Sequence, residues 1–274
     1  MKKIKFKKGK EISPLLKKIF ICLFVVLLFC FLYWLIFFKQ NLDTNSTKVT
    51  NLYAYLGDNN IKECNGLSNY DANEVNKDTI SEDMKICNAY VLVDSSKIVT
   101  VKIDKTKKAN TCKIDNDTVF ATDNADETIC TLNKLVINEI KNAYKAIYGS
   151  DLEDYKDFQF NYNTICQYSS DAYYCGSSQQ YTLTVGAEPT IYRTMKKAVE
   201  KGNDLYIYDY FLKVIDNKCY TNYTGTDEIA KCSDVIANTK DINYNFLKKY
   251  GTLYKHTFKK DADGNYYWVS SKPM

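Results

Sequence analysis

IFICLFVVLLFCFLYWLIFF, residues 19–38, decides how the rest of the chain is read, because it is an apolar run without a charge, a glycine or a proline. As an α-helix rising about 1.5 Å per residue it would cover roughly 30 Å, the thickness of a bilayer's hydrocarbon core. The run therefore predicts a membrane anchor that crosses once, with Tyr33 and Trp34 near the headgroups, where amphipathic rings settle. Its flanks set the direction. Residues 1–18 carry Lys2, Lys3, Lys5, Lys7, Lys8, Lys10, Lys17 and Lys18 against Glu11, whereas the far flank offers Lys39 before turning to QNLDTNST. Cytoplasmic flanks are enriched in Lys and Arg, so the N-terminus is expected inside and the bulk of the chain outside the cell membrane. A cleavable signal peptide would have about 7–15 apolar residues followed by small residues at the cut. This run is longer and ends in Phe37, Phe38 and Lys39. Lipidation at Cys30 is disfavoured by the bulky Leu28 and Phe29 before it and by the apolar stretch that follows.

The formal net charge of +4 divides at this anchor. Nine of the 37 basic and one of the 33 acidic side chains lie in residues 1–40, leaving 28 against 32 and a net charge of −4 outside. A mildly acidic exterior argues against nucleic acid as a partner, since phosphate backbones need a basic footprint. The bias toward Lys, Asn, Ile and Tyr, with Arg193 as the single Arg, follows A/T-rich codons and weakens any case for selected tyrosines.

Of the ten cysteines, Cys22 and Cys30 fall in the anchor, where a thiol behaves as a small apolar group. The other eight are Cys64, Cys87, Cys112, Cys130, Cys166, Cys175, Cys219 and Cys232, an even number in an exported domain, which points to disulfides. Eight cysteines allow about 105 pairings, so local geometry has to choose. Neighbour pairing is the simplest scheme: 166 with 175, 219 with 232, 112 with 130 and 64 with 87. There is no C-x-x-C, and one histidine is too few for the usual zinc patterns.

The organisation expected is a basic tail over 1–18, the anchor over 19–38, a polar tether over 39–50 and one extracytoplasmic α+β domain over 51–274. Thr79 and Glu82 have capping-box spacing, and Ile80, Met84, Cys87 and Val91 would then share one helical face. Residues 94–125 read as an exposed excursion with a β-like run over 98–103. Over 133–148, Val136, Ile140, Ala143 and Ile147 recur at helical spacing, and Gly149 suits a C′ position.

After this helix the period becomes two. Phe158, Phe160 and Tyr162 alternate with polar residues, as do Tyr181, Leu183 and Val185. Pairing these runs so that Cys166 faces Cys175 places Phe160 opposite Tyr181 and Phe158 opposite Leu183. A second hairpin about Gly202 and Asn203 pairs Ile191 with Val214, Met195 with Tyr210 and Val199 with Tyr206. A short helix over 243–250 leads to a last hairpin, 252–259 with 265–271, whose Asp263-Gly264 has the sequence of a type I′ turn. Two helices and six antiparallel strands predict helices on one curved sheet, in the manner of cystatin-like or nuclear-transport-factor-like cones.

The sequence names no reaction. His256 lies on a strand pattern with Tyr254 and Phe258 and belongs to no recognisable catalytic motif. G-x-S-x-G, H-E-x-x-H and the P-loop are all absent. The acidic clusters 115–117, 123–127 and 261–265 lack the spaced ligands and closing Glu of a calcium loop. No catalytic residue, metal ligand or cofactor site is therefore assigned. Tyr206, Tyr208 and Tyr210, with Tyr181, form the one candidate ligand face, an aromatic stripe that could equally be an amphipathic strand covering the core.

The ending YKHTFKKDADGNYYWVSSKP, the helix end IYG at 147–149 and the Lys-rich start before one apolar pass resemble a group of uncharacterised, membrane-anchored proteins of A/T-rich Gram-positive gut bacteria and their wall-less relatives. The likeness covers mainly residues 131–274 and implies no activity or site residues. The function expected is a non-catalytic binding or assembly module of the cell envelope, with the membrane and an envelope protein or glycan as partners. The alternatives are a glycan-acting enzyme using two carboxylates and a surface adhesin using the Tyr-rich face.

Overall fold

The chain was studied as a computed structural model, which describes residues 14–37, 39–57, 64, 70–104, 111–114, 119–121, 129–161, 164–177, 189–239 and 241–274. In chain order the elements are α1 (Pro14–Phe37), β1 (Lys39–Leu42), α2 (Thr47–Ala54), β2 (Val75–Asn76), α3 (Glu82–Leu92), β3 (Val99–Asp104), β4 (Thr111–Lys113), β5 (Val119–Ala121), β6 (Ile129–Val136) and α4 (Ile137–Tyr148). They continue with β7 (Phe158–Asn161), β8 (Thr164–Ser169), β9 (Ala172–Ser177), β10 (Thr190–Lys201), β11 (Asp204–Ile215), β12 (Lys218–Tyr220), α5 (Ala230–Ile236), α6 (Tyr244–Tyr250), β13 (Thr252–Lys260) and β14 (Tyr266–Pro273).

The result is a mixed α+β fold of six described helices on antiparallel sheets, held by four disulfides. The large sheet runs β1-β10-β11-β13-β14-β2 with β12 added on β11; a five-stranded sheet runs β3-β6-β9-β8-β7; β4 and β5 form a separate ribbon. The main core lies between the two larger sheets. Ile86 and Tyr90 of α3 and Ile140 and Ile147 of α4 meet Ile207, Phe258 and Trp268 of the large sheet and Phe158 and Tyr173 of the smaller one. The expected pair of helices on one curved sheet is thus replaced by helices between two sheets. Of the second sheet, β3 matches the β-like run at 98–103 and β7 the alternation from Phe158, while β6, β8 and β9 occupy stretches whose local pattern suggests helix or loop.

Four local expectations are corrected. The expected tether over 39–50 is instead structured: β1 pairs with the end of β10, Lys39 opposite Lys201, and α2 buries Val49 and Leu52. α4 begins at Ile137 rather than near 133, because β6 continues to Val136, with Cys130 and Leu132 buried on one face and Leu135 on the other, and Val136 is the exposed N-cap. Thr79 does not cap α3. Its hydroxyl accepts from the Asn76 amide at 2.9 Å and donates to the Asn76 carbonyl, while Glu82 accepts the Tyr144 hydroxyl at 2.7 Å. Asp263-Gly264 is not a type I′ turn, which needs positive φ at both central residues; only Gly264 has it, and the turn closes from the Gly264 amide to the Asp261 carbonyl.

Cys166 does face Cys175, but through a hairpin of β8 and β9 whose tip, Ser170-Asp171, has positive φ at both positions. Phe158 consequently lies opposite Cys166 rather than Leu183. Leu183, Tyr181 and Val185 lie outside the described residues, as do the acidic clusters 115–117 and 123–127. The remaining disulfides join Cys64 to Cys87, Cys112 to Cys130 and Cys219 to Cys232, the neighbour scheme throughout.

Residues 19–37 of the apolar run are helical within α1, residue 38 lies outside the described residues, and the described side chains, Ile19 to Tyr33, are exposed. Among the described residues no helix is long and apolar enough to cross a membrane.

Candidate functional site

The large sheet has two different faces, and β11 runs through both. Leu205, Ile207, Asp209 and Phe211 point toward the helices, while Tyr206, Tyr208, Tyr210 and Leu212 point away, as alternation along a strand requires.

On the helix side, the chemistry-bearing groups form one buried row. Arg193 on β10, Asp209 on β11, His256 on β13 and Ser271 on β14 come from four consecutive strands of the sheet. Asp209 Oδ2 accepts from the Tyr70 hydroxyl at 2.6 Å and the Tyr53 hydroxyl at 2.8 Å, with Arg193 Nε at 3.5 Å. Asp209 Oδ1 lies 2.8 Å from His256 Nε2, and His256 Nδ1 lies 2.6 Å from Ser271 Oγ. The Trp268 indole donates to Ser271 Oγ at 2.9 Å. The Asp209 carboxylate has no proton to give, so His256 Nε2 donates to it, while Ser271 Oγ accepts the Trp268 N–H and meets His256 Nδ1.

This connectivity is that of a Ser–His–carboxylate triad with the two ring nitrogens exchanged. The surroundings are not. Asp209, His256 and Ser271 are each 0% exposed, and Tyr70 covers the row by stacking on Phe211 at 4.5 Å and meeting the His256 ring edge-on at 5.1 Å. No acyl carbon can approach Ser271 Oγ in this packing, so the row serves as a polar clamp across the sheet. Burial raises the Asp209 carboxyl, but His256, Arg193 and Tyr70 outweigh it and hold the group below the usual range. Arg193 also donates to the Gly57 carbonyl at 2.6 Å and lies over the rings of Tyr53 and Tyr70.

The opposite face is divided in two. Tyr210 and Leu212 are covered by α5, α6 and the Cys219–Cys232 disulfide, in a cluster with Ile236 and Leu247. Tyr206 and Tyr208 are covered by no described helix and stay half-buried. Around them the registers gather lysines on the same side: Lys197 lies opposite Tyr208, Lys201 opposite Asp204, Lys39 opposite Lys201, Lys255 opposite Tyr208 and Lys272 opposite Lys255. The Lys255 ammonium sits 4.1 Å from the Tyr206 ring centre and that of Lys197 4.6 Å from Tyr208, within cation–π range.

Lys39, Val199, Lys201, Tyr206, Tyr208 and Lys255 line a shallow cavity of about 360 Å³. Among the described residues, Asp204 is the one carboxylate these strands place on this open half, and it accepts the Tyr206 hydroxyl at 2.9 Å. Burial, followed by Asp204, pushes the Tyr206 phenol up to about 12. Burial, followed by repulsion from Lys272, lowers Lys255 from the usual lysine value. Asp204 and Glu74 oppose this lowering, so the five lysines outnumber the carboxylates that reach them, the make-up of an anion-binding surface.

Of the candidate ligand face, then, the structure brings Tyr206 and Tyr208 together in the open, places Tyr210 at 6% exposure beneath α6, and leaves Tyr181 outside the described residues. The lysines beside the two open rings went unassigned in the sequence reading; their common signal is alternation along β10 and β13, which acquires meaning only once the strands are in register. Comparison with protein-family models, curated proteins and solved structures finds no match to this chain.

Proposed function

We propose that the chain is a membrane-anchored, extracytoplasmic binding module of the cell envelope, non-catalytic, whose binding surface is the open half of the large sheet around Tyr206 and Tyr208. The observation that carries this reading is the surface itself, where two accessible aromatic rings lie within a lysine cluster that holds one strand-borne carboxylate. Tyrosine is enriched among the anchors of binding surfaces, and a patch of one charge sign complements a partner of the other. The anchor is supported by the apolar run 19–38 and by the lysine asymmetry of its flanks. The non-catalytic role is supported by the burial of the Asp209–His256–Ser271 row.

The test is chemical crosslinking of the full-length protein in the membranes of the cells that make it, with a chain cut after residue 38 as control. The reading expects a defined envelope component to be recovered with the full chain and lost with Tyr208→Ala, while that variant keeps its melting temperature. A soluble full-length protein, or recovery that Tyr208→Ala leaves unchanged, contradicts it.

A further inference from the structure

On the reading that this chain is anchored in a membrane, we infer that the ligand of the open sheet face is the anionic phosphate headgroups of that same membrane. The argument begins at Lys39. One residue separates the end of α1 at Phe37 from β1 at Lys39, and β1 is already hydrogen-bonded to β10. The sheet therefore has no slack with which to stand away from the point where the helix ends. Lys39 also lines the cavity with Lys201, Tyr206, Tyr208 and Lys255. The end of the helix and the anion-binding surface share a residue.

Dimensions agree with this placement. Three strand spacings of about 4.8 Å separate β1 from β13, and four residues along β13 add about 13 Å, so Lys255 lies within about 20 Å of Lys39. A sheet fused at headgroup height and lying along the membrane presents both to the same leaflet. Lysine is a compact point charge suited to phosphate, and half-buried tyrosine is enriched where one end of a ring is apolar and the other wet. The lowering of Lys255 by its burial and by Lys272 indicates a cluster in which a bound anion relieves desolvation and repulsion together. The net negative charge of the rest of the exterior makes this patch a local exception, which orients the domain as well as holding it.

The experiment uses the full-length protein reconstituted in vesicles of phosphatidylcholine alone or of phosphatidylcholine with phosphatidylglycerol. A membrane-impermeant amine reagent is applied, and acylation of each lysine is followed by mass spectrometry. Lys201 and Lys255 are expected to react about fivefold more slowly in the anionic vesicles, the equivalent of one surface lysine held by anionic lipid. Lys97 and Lys145, which are on other elements and exposed, should be unchanged. High salt should abolish the difference, because exposed charges are screened. Equal rates at Lys201 and Lys255 in the two vesicles overturn the inference and leave the binding-module reading standing. Inorganic phosphate that protects both lysines as well in neutral vesicles also overturns it, in favour of a free-anion site. Failure of the protein to float with either vesicle removes the anchor, and both readings fall together.

Discussion

Arg193 and Asp209 share the helix-facing side of the large sheet because β10 contains one extra residue. The register shifts between Met195 and Lys197, so that Met195 lies opposite Asp209 and Arg193 opposite Phe211, with Arg193 Nε 3.5 Å from Asp209 Oδ2. Without the bulge, the pairing counted from the Gly202-Asn203 tip would put Arg193 opposite Leu212, on the other face. A bulge re-aims the side chains beyond it. Here it sends the only arginine inward and leaves Lys196 and Lys197 facing out together.

Asp209 is the acceptor on which this row depends. Asp209→Asn removes the charge that Arg193 faces and breaks the donor pattern, at an expected cost of about 3–5 kcal/mol, the usual penalty for breaking a buried pair by one partner. Urea unfolding of the variant measures it. Arg193→Met in the same background should recover part of the loss, since an unpaired buried charge is then removed.

Glu200 makes stability depend on acid. It lies 2.8 Å from Lys48, 3.3 Å from Lys260 and accepts the Tyr266 hydroxyl at 2.6 Å. Burial raises its carboxyl, but these partners more than offset this and bring it to about 2. A folded-state value below the unfolded one gives stability that is present above the ordinary carboxylate pKa of 4.5 and disappears as pH falls toward 2. Thermal melts of Glu200→Gln against the native protein should diverge above pH 4.5 and converge near pH 2.

Gly176 holds two layers together by having no side chain. A Cβ there would collide with Leu132 and come within 3.0 Å of Phe120, beneath the β4–β5 ribbon. Gly176→Ala is expected to cost about 1–3 kcal/mol by overpacking. Differential scanning calorimetry reads the loss.

The disulfides should differ in worth by the loop each closes. Cys64–Cys87 spans 23 residues and Cys166–Cys175 spans 9. Chain entropy makes the longer closure worth about 1 kcal/mol more, so paired Cys→Ala replacement at 64 and 87 should lower stability further than at 166 and 175. Equal losses in urea would contradict the entropic account.

What the sequence revealed was local. The C-terminal half of α4 and its Gly149 cap, the Gly202 hairpin and the neighbour disulfides all follow from residues close together in the chain. Val199 opposite Tyr206 was readable because both lie on the tip side of the bulge; Met195 opposite Tyr210 was not, because the bulge at Lys196 lies between. The row around His256 escaped for the same reason: Asp209 is 47 residues away and Ser271 is 15, and they become neighbours only through strand register. β6 was absorbed into α4 because Val136 continued the helical spacing of Ile140 and Ile147 backward, although Leu132 and Leu135 bury as strand residues. The open face was half legible, through its tyrosines, and its lysines became neighbours only when the strands were placed side by side.

The most direct measurement is site-specific photo-crosslinking of the full-length protein in the cells that make it, with the probe at position 208 or, as a reference, at position 145 on α4. Adducts to a membrane or envelope component that concentrate at position 208 are the result expected of a binding face on the open sheet. Equal yields at the two positions, or none at 208, would contradict it.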